Sequence, residues 1–263
     1  SYMFRSCHGL TTLDVSKLDT SKVTNMGGMF NNCYKLTTLD VSKWVTSSVT
    51  DMSTMFYGCT GLQTLDIGEW DTSKVSNVFR MFTGCSNLQA LNVSNWKTSS
   101  VTNMNSMFSG CSQLTTLDVS SFDTSLVTSM GNTFSNCSNL QTLDLSNFNT
   151  SKVTEMIEMF RNCPNLTTLD ISNFDTSLVT NMRNMFYNNP ALKTIGMLYS
   201  NTESINKLVE LHKPNGLVVY YYDADPSQLT PVEGVTFKKY VTPTTIQLPP
   251  HIQLHSLPDG TRD

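Results

Sequence analysis

A step of 26 residues constrains this sequence more than any other feature. Cysteine, phenylalanine and leucine each recur at that interval, without an insertion, up to residue 197. The columns are Cys7, Cys33, Cys59, Cys85, Cys111, Cys137 and Cys163; Phe4, Phe30, Phe56, Phe82, Phe108, Phe134, Phe160 and Phe186; and Leu10, Leu36, Leu62, Leu88, Leu114, Leu140, Leu166 and Leu192. Such regularity is typical of stacked repeat proteins, in which each unit contacts only its neighbours.

Each unit carries two hydrophobic periods. Leu13 and Val15 alternate with polar neighbours, which predicts a short, half-buried strand. The next apolar residues are spaced by three and four positions and are Val23, Met26, Met29, Phe30 and Cys33. That spacing predicts a short helix over Val23–Phe30, and Thr20 or Ser21 would cap its start.

A strand and a helix within 26 residues cannot bury an apolar face alone, whereas stacked copies can. The step also lies within the range of about 20–29 residues of leucine-rich repeats, whose motif contains Leu-x-x-Leu-x-Leu. The sequence therefore predicts an α/β fold, a leucine-rich-repeat solenoid of about 7.5 repeats over residues 1–197. Its parallel β-sheet would form one face and its short helices the other.

The period ends at residue 198. A helix is predicted to begin near Asn201 and to end at Pro214, and a strand follows at residues 217–222. Residues 198–241 would then form a C-terminal cap over the last repeat. Residues 242–263 are Pro-rich and read as a connector or as the start of a following domain. Because the chain opens within the pattern, we expect it to be a piece of a longer protein.

Composition and charge exclude several functions. Charged residues make up 14% of the chain and its net charge is −4, and no Lys/Arg-rich patch of the kind that binds nucleic acid is present. No apolar run approaches the roughly 20 residues that span a bilayer. The four histidines do not repeat, and neither a triad signature nor a phosphate-binding loop occurs. We predict no nucleic-acid partner, no membrane insertion, no cofactor and no enzymatic activity.

The repeated unit resembles the BspA-like subclass of bacterial leucine-rich-repeat surface proteins. The resemblance rests on Met-Phe-x-x-Cys-x-x-Leu-x-x-Leu-Asp-Val-Ser, followed by Thr-Ser-x-Val-Thr-x-Met, and covers about three quarters of the chain. It implies a monomeric, extracellular adhesin of the bacterial cell surface or cell wall that attaches to host or matrix glycoproteins, mucins or glycans. The usual asparagine ladder is expected to be absent, because its position holds Leu18, Trp44, Trp70, Trp96, Phe122, Phe148 and Phe174.

Two of these columns have alternative readings. The cysteines are either buried, reduced thiols or ligands and disulfide partners. Stacking would place their Cβ atoms parallel and about 4.8 Å apart, whereas a disulfide needs about 3.8 Å, so burial is favoured. No histidine repeats beside them, and we predict no metal site. The aromatic column is either a core filler or a platform for sugars, and its leucine at Leu18 favours the core.

The exposed side of the strands repeats Thr-x-Asp-x-Ser. Like charges about 5 Å apart on a sheet repel each other, so hydrogen bonds from Ser and Thr must offset that cost, unless the column serves a glycan, a protein or weakly bound cations. The interleaved charges argue against ice binding, which flat threonine arrays suit. We predict ligand binding by Thr38, Asp40, Ser42, Thr64, Asp66, Thr116, Asp118, Ser120, Thr142, Asp144 and Ser146.

The sequence thus predicts a non-catalytic binding module of a bacterial cell-surface adhesin. Many weak polar contacts along a repetitive face would add up through multivalency. The main alternative is a structural stalk that presents another domain, which the regularity of the repeat favours. A glycan-active enzyme is a minor alternative, because no catalytic residue can be named.

Overall fold

The computed structural model describes residues 1–197, 217–221, 226–229, 231 and 235–239. We number the 26-residue units from residue 1, so that unit 1 is residues 1–26 and unit 2 is residues 27–52. The described chain contains small parallel sheets and one short 3₁₀ turn. These elements are β1 (Thr64–Leu65), β2 (Ala90–Leu91), β3 (Thr168–Asp170), β4 (Thr194–Met197), β5 (Leu217–Tyr221), the 3₁₀ turn Pro226–Gln228 and β6 (Val235–Lys239).

Neighbouring units pair in parallel with a register of 26 residues. Thr64 pairs with Ala90, Thr168 with Thr194, and an isolated bridge joins Thr12 to Thr38. We call this series the strand ladder. It lies where the sequence predicts a strand, but it begins one residue earlier and its strands within the repeats are only two to four residues long. The strands are short because the next aspartate starts a turn.

The predicted helices are wrong. The described residues contain no α-helix, and residues 25–33 with their equivalents, here called the turn segments, form consecutive turns. Their amides alternately donate to the next unit, as in Met26 N to Asp51 O at 2.9 Å, Gly28 N to Ser53 O at 2.8 Å and Phe30 N to Met55 O at 2.9 Å. Those donors are therefore lost to the bonds between residues four apart that define an α-helix.

Left-handed backbone also excludes a helix from the turn segments. Gly28 and Asn32 have φ angles of 61° and 60°. A right-handed helix cannot continue through such residues. The same position just before each cysteine is left-handed throughout the described repeats and holds Gly or Asn after the first unit, at Asn32, Gly58, Gly84, Gly110, Asn136, Asn162 and Asn188.

The turn segments form a second parallel ladder, here called the turn ladder. Isolated bridges link one residue per unit without interruption, through Asn25, Asp51, Asn77, Asn103, Ser129, Glu155 and Asn181. Side chains of this column accept hydrogen bonds from the backbone two residues ahead, as in Gly27 N to Asn25 Oδ1 at 2.8 Å. An asparagine-rich column thus exists, although at a different position from the usual ladder whose absence was predicted.

The core lies between the two ladders and consists of stacked side-chain columns. Neighbouring phenylalanine rings are separated by 5.5 Å at Phe4–Phe30 and by 5.8 Å at Phe108–Phe134. The second aromatic column is buried from Trp44 to Phe174, which confirms its core reading and excludes a sugar platform. The Trp70 indole is also held by its Nε1, which donates to the Val41 carbonyl at 3.1 Å.

The thiols form a buried hydrogen-bonded column. All seven are free, and six are buried, whereas Cys7 is half-buried in the first unit. Each buried thiol donates to the phenylalanine carbonyl of the preceding unit, as in Cys85 Sγ to Phe56 O at 3.1 Å. Asn189 takes over in the last unit, where its Nδ2 donates to Phe160 O at 2.8 Å. The predicted burial of this column is confirmed.

A buried threonine column clamps neighbouring units together. The Thr98 Oγ1 hydroxyl donates to the Asp123 carbonyl at 2.9 Å, and the Thr20 Oγ1 accepts from the Val45 amide at 2.8 Å. Thr20 is therefore not the predicted helix cap. Its hydroxyl oxygen instead accepts a hydrogen bond from the next unit.

The sheet continues beyond the last repeat. Strand β4 pairs in parallel with β5, which lies within the strand predicted at 217–222, and β5 pairs with β6. The predicted helix near Asn201 and the Pro-rich segment 242–263 lie outside the described residues, and the boundaries 1–197 and 198–241 stay a prediction. The small parallel sheets and the 26-residue register are compatible with a repeat solenoid.

Candidate ligand-binding face

The eleven predicted site residues all lie on the side of the strand ladder. Nine are exposed, and Ser42 and Ser146 are partly exposed. We call this surface the Thr–Asp face. It keeps the alternation of the sequence, because the intervening leucines and valines point into the core.

Part of the Thr–Asp face forms a depression of about 480 Å³ across three consecutive units. Its polar lining is Thr12, Asp14, Thr38, Asp40, Thr64 and Asp66. Four of these were predicted, and Thr12 and Asp14 belong to the same motif in unit 1. The other predicted residues, including Thr116, Asp118 and Asp144, lie further along the face and outside this depression.

Most of the aspartates are tied into turns. The Oδ1 atom of Asp40 accepts from the amide and the hydroxyl of Ser42 at 3.1 and 2.7 Å, and Asp118 accepts likewise from Ser120 at 3.0 and 2.6 Å. The serine hydroxyl and then the serine amide lower the pKa of both carboxyl groups. These bonds offset the repulsion between neighbouring aspartates and favour the ionised forms of Asp40 and Asp118.

Asp66 differs from its neighbours. The residue two positions ahead is Gly68 instead of serine, and no hydrogen bond joins the Asp66 carboxylate to any residue that the structure describes. Both of its oxygens are therefore open to a ligand.

The unit next to Asp66 also breaks the pattern. Thr64 pairs with Ala90, and Asn92 takes the place of an aspartate. Ser94 still donates to Asn92 Oδ1, from its amide at 3.2 Å and from its hydroxyl at 2.8 Å. The turn is thus preserved without a charge, which removes one like-charge neighbour from Asp66.

The arrangement can offer hydroxyl donors and carboxylate acceptors in regular alternation. Among the described residues, no group of three or more His, Cys, Asp or Glu side chains is placed to hold a metal ion. In the same part of the chain, no helix has the length and apolar character that crossing a membrane requires. The chemistry that the face supports is hydrogen bonding to polar ligands.

The parallel pairing at a fixed register defines a tandem-repeat protein. The chain belongs to the family described as "Mycoplasma protein of unknown function, DUF285", whose model matches residues 1–116 and again residues 80–196. Two overlapping matches are expected when one family model covers several copies of a repeat. No curated protein and no solved structure matches the chain.

Proposed function

We propose that this chain is a non-catalytic binding module of a bacterial cell-surface adhesin. It is built as a leucine-rich-repeat solenoid of the BspA-like type and attaches to host or matrix glycoproteins or glycans through the Thr–Asp face. The observation that carries the proposal is the depression of about 480 Å³, in which three units contribute threonine and aspartate in turn. It contains Asp66, a carboxylate that the fold does not use.

Glycans suit this face because their hydroxyl groups both donate and accept hydrogen bonds. Carboxylates such as Asp40 and Asp66 accept from sugar hydroxyls, and threonine hydroxyls such as Thr38 and Thr64 can do either. Each contact is weak in water, with a net value of about 0.5–1.5 kcal/mol. Repetition along a rigid face and several attachment points per glycoprotein would raise the overall avidity.

A structural stalk is the second candidate, and the serine bonds favour it. They give aspartates such as Asp40 and Asp118 a role in the turns, which accounts for their repetition without a ligand. Asp66 is the exception that favours the adhesin, because its carboxylate has no such role.

An array of mucins, matrix proteins and glycans separates the two candidates. We expect the adhesin to bind at least one glycoprotein and Asp66→Lys to weaken that binding by about tenfold or more, since a charged hydrogen bond contributes about 1.5–3 kcal/mol. The matched control is Asp175→Lys, which makes the same charge change. Asp175 occupies the repeat position that Lys97 occupies in unit 4, so a lysine is already tolerated there.

The circular dichroism spectrum of both variants should equal that of the wild type. A wild-type chain that binds nothing on the array would favour the stalk. Binding that survives Asp66→Lys as well as it survives Asp175→Lys would move the site away from the Thr–Asp face.

A further inference from the structure

A second depression, of about 350 Å³, lies at the bend that follows the strand ladder in units 3 and 4. Its lining includes Gly68, Glu69, Trp70, Asp71, Asn95 and Lys97, and shares no residue with the depression of the Thr–Asp face. Its volume falls within the range of about 300–1,000 Å³ typical of small-molecule sites. We call it the bend pocket.

The lining of the bend pocket departs from the repeat. Gly68 stands where the other units carry Ser16, Ser42, Ser94, Ser120, Ser146 and Ser172. Glu69 is the acidic residue of a column that otherwise holds Lys, Asn or Ser, and Lys97 is the basic residue of a column of Asp, Asn and Val. Departures from a locally consistent pattern are expected at functional sites. Here three of them meet at one depression.

Two departures are sterically linked. A Cβ atom on Gly68 would lie 2.6 Å from Asn92 Nδ2, so the amide side chain occupies the space that serine takes in other units. A serine at position 68 would require Asn92 to move. The glycine at position 68 and the asparagine at position 92 are therefore sterically coupled.

The floor and walls of the bend pocket are rigid. Trp70 is buried and its indole nitrogen is already bonded to the Val41 carbonyl, so its ring is fixed in the core beneath the pocket. Thr72 Oγ1 accepts from the Lys97 amide at 2.8 Å and donates to the Lys97 carbonyl at 3.0 Å, which fixes the two units against each other.

The polar groups of the pocket include both hydrogen-bond donors and hydrogen-bond acceptors. Asp71 Oδ1 accepts from the Ser73 amide at 3.0 Å, and the Ser73 hydrogen bonds, followed by the nearby Lys97 charge, lower the pKa of the Asp71 carboxyl. Glu69 adds a second carboxylate. Lys97 donates only, and the Asn95 amide both donates and accepts.

We propose that the bend pocket binds one neutral monosaccharide unit of a glycan. Sugar hydroxyls can donate to Glu69 and Asp71 while they accept from Lys97 and Asn95. An anionic ligand meets two carboxylates, and a cationic ligand meets the lysine. The ligand class rests on the proposed function, and the pocket would add selectivity to an otherwise repetitive face.

Saturation-transfer NMR on the full chain tests this with free glucose, galactose, mannose and N-acetylglucosamine as probes. We expect at least one of them to receive saturation from the wild type. Glu69→Asn with Lys97→Asp installs residues that other units carry at those positions, and should weaken the signal about tenfold or more. Asp123→Asn changes the column of Lys97 in unit 5, outside the pocket lining, and should leave the signal unchanged.

A second variant keeps the test independent of folding. Gly68→Ser with Asn92→Asp restores the residues of the other units, should unfold within about 2 °C of the wild type and should also lose the signal. The proposal is overturned if no sugar receives saturation from the wild type, or if both double variants transfer saturation as well as the wild type does. So does binding of spermidine or glucuronate in place of the neutral sugars.

The outcome is separable from that of the proposed function. A chain that binds glycoproteins on the array but no free sugar keeps the adhesin and loses the bend pocket. A chain that binds a free sugar but nothing on the array keeps the pocket and loses the adhesin.

Discussion

The two ladders of the repeat differ in continuity. The turn ladder bridges every unit from Asn25 to Asn181, whereas the strand ladder has pairs at Thr12–Thr38, Thr64–Ala90 and Thr168–Thr194 with gaps between them. The side whose sequence alternates like a strand thus has the weaker pairing. The side whose spacing resembles a helix has the unbroken one.

The difference indicates that the side of the repeat with the turn ladder and the side with the strand ladder have different roles. Buried phenylalanine and thiol columns adjoin the turn ladder, and each buried thiol adds a hydrogen bond between units. The strand ladder carries the exposed Thr–Asp face, the free carboxylate of Asp66 and the departures around Gly68. Substitutions on the turn side should therefore cost stability, and substitutions on the strand side should cost binding.

The largest expected effect is the loss of a phenylalanine beside the turn ladder. Phe108 is fully buried between the rings of Phe82 and Phe134, with centroids 5.7 and 5.8 Å away. Phe108→Ala should lower the free energy of unfolding by about 3–5 kcal/mol, through lost burial and a residual cavity. Urea unfolding measures it.

Thr116→Ala is the matched control on the strand side of the same unit. Ala90 already occupies the equivalent position, so the change should stay within about 0.5 kcal/mol. Equal losses for the two variants would contradict the division between the two sides.

Alkaline pH should be the next largest way to weaken the turn side. Burial raises the pKa of Cys85 and of Cys163 to about 12, against an ordinary value of 9.0. The folded chain therefore binds these protons more tightly than the unfolded chain. Their stabilisation is complete below pH 9.0 and is lost as the pH rises toward about 12.

Cys163→Asn tests this assignment. In the last unit Asn189 donates to a phenylalanine carbonyl, so an asparagine at 163 keeps a donor but does not titrate. The urea midpoint, measured between pH 8 and 12, should fall less steeply in the variant than in the wild type. Identical slopes would show that the alkaline loss comes from other groups.

Gly84→Ala distinguishes left-handed turns from a helix by the sign of its effect. Gly84 has a φ of 75°, and the nearest atom to an added Cβ is Gly58 Cα at 3.7 Å, so the cost is conformational. We expect a loss of about 1–2 kcal/mol, whereas alanine in a helix would gain about 0.5–1 kcal/mol.

The reverse change completes the test. Thr54 is β-branched and has a φ of 52°, so Thr54→Gly should raise the thermal unfolding temperature. A higher unfolding temperature for Gly84→Ala, or a lower one for Thr54→Gly, would support a helix in the turn segments.

The outcome for the fold shows which patterns in the sequence carry information. Alternation at Leu13 and Val15 places the strand ladder, because no other regular structure has a period of two. Spacing by three and four does not identify a helix, because successive turns with bonds such as Cys33 N to Phe30 O at 3.0 Å repeat at the same interval. The glycine or asparagine before nearly every cysteine was the signal for left-handed turns.

The candidate site, like the fold, could be predicted only in part from the sequence. The Thr–Asp face follows from alternation alone, and so does its exposure. The two depressions do not, because they depend on how side chains of adjacent units meet, as Gly68 and Asn92 do. The freedom of Asp66 could be inferred from the missing serine two residues later, once the serine turns were known.

The smallest expected effect is on the strand side, at Asp118. Its Oδ1 accepts from the amide and hydroxyl of Ser120, and Asn92 shows that an amide oxygen makes the same two contacts with Ser94. Asp118→Asn should therefore change the free energy of unfolding at pH 7 by no more than about 0.5 kcal/mol, whereas Asp118→Ala removes the acceptor and should cost about 1 kcal/mol.

Because the Ser120 bonds lower the pKa of Asp118, its carboxylate stabilises the folded state above the ordinary value of 3.8, and that contribution is lost as the pH falls through the lowered value. Urea midpoints from pH 7 to pH 2 should thus fall more in the wild type than in Asp118→Asn, by an amount smaller than the alkaline loss from the thiols, since Asp118 is exposed and screened by solvent. An acid loss that exceeds the alkaline loss would place the stability of the repeat on the strand side and reverse the comparison.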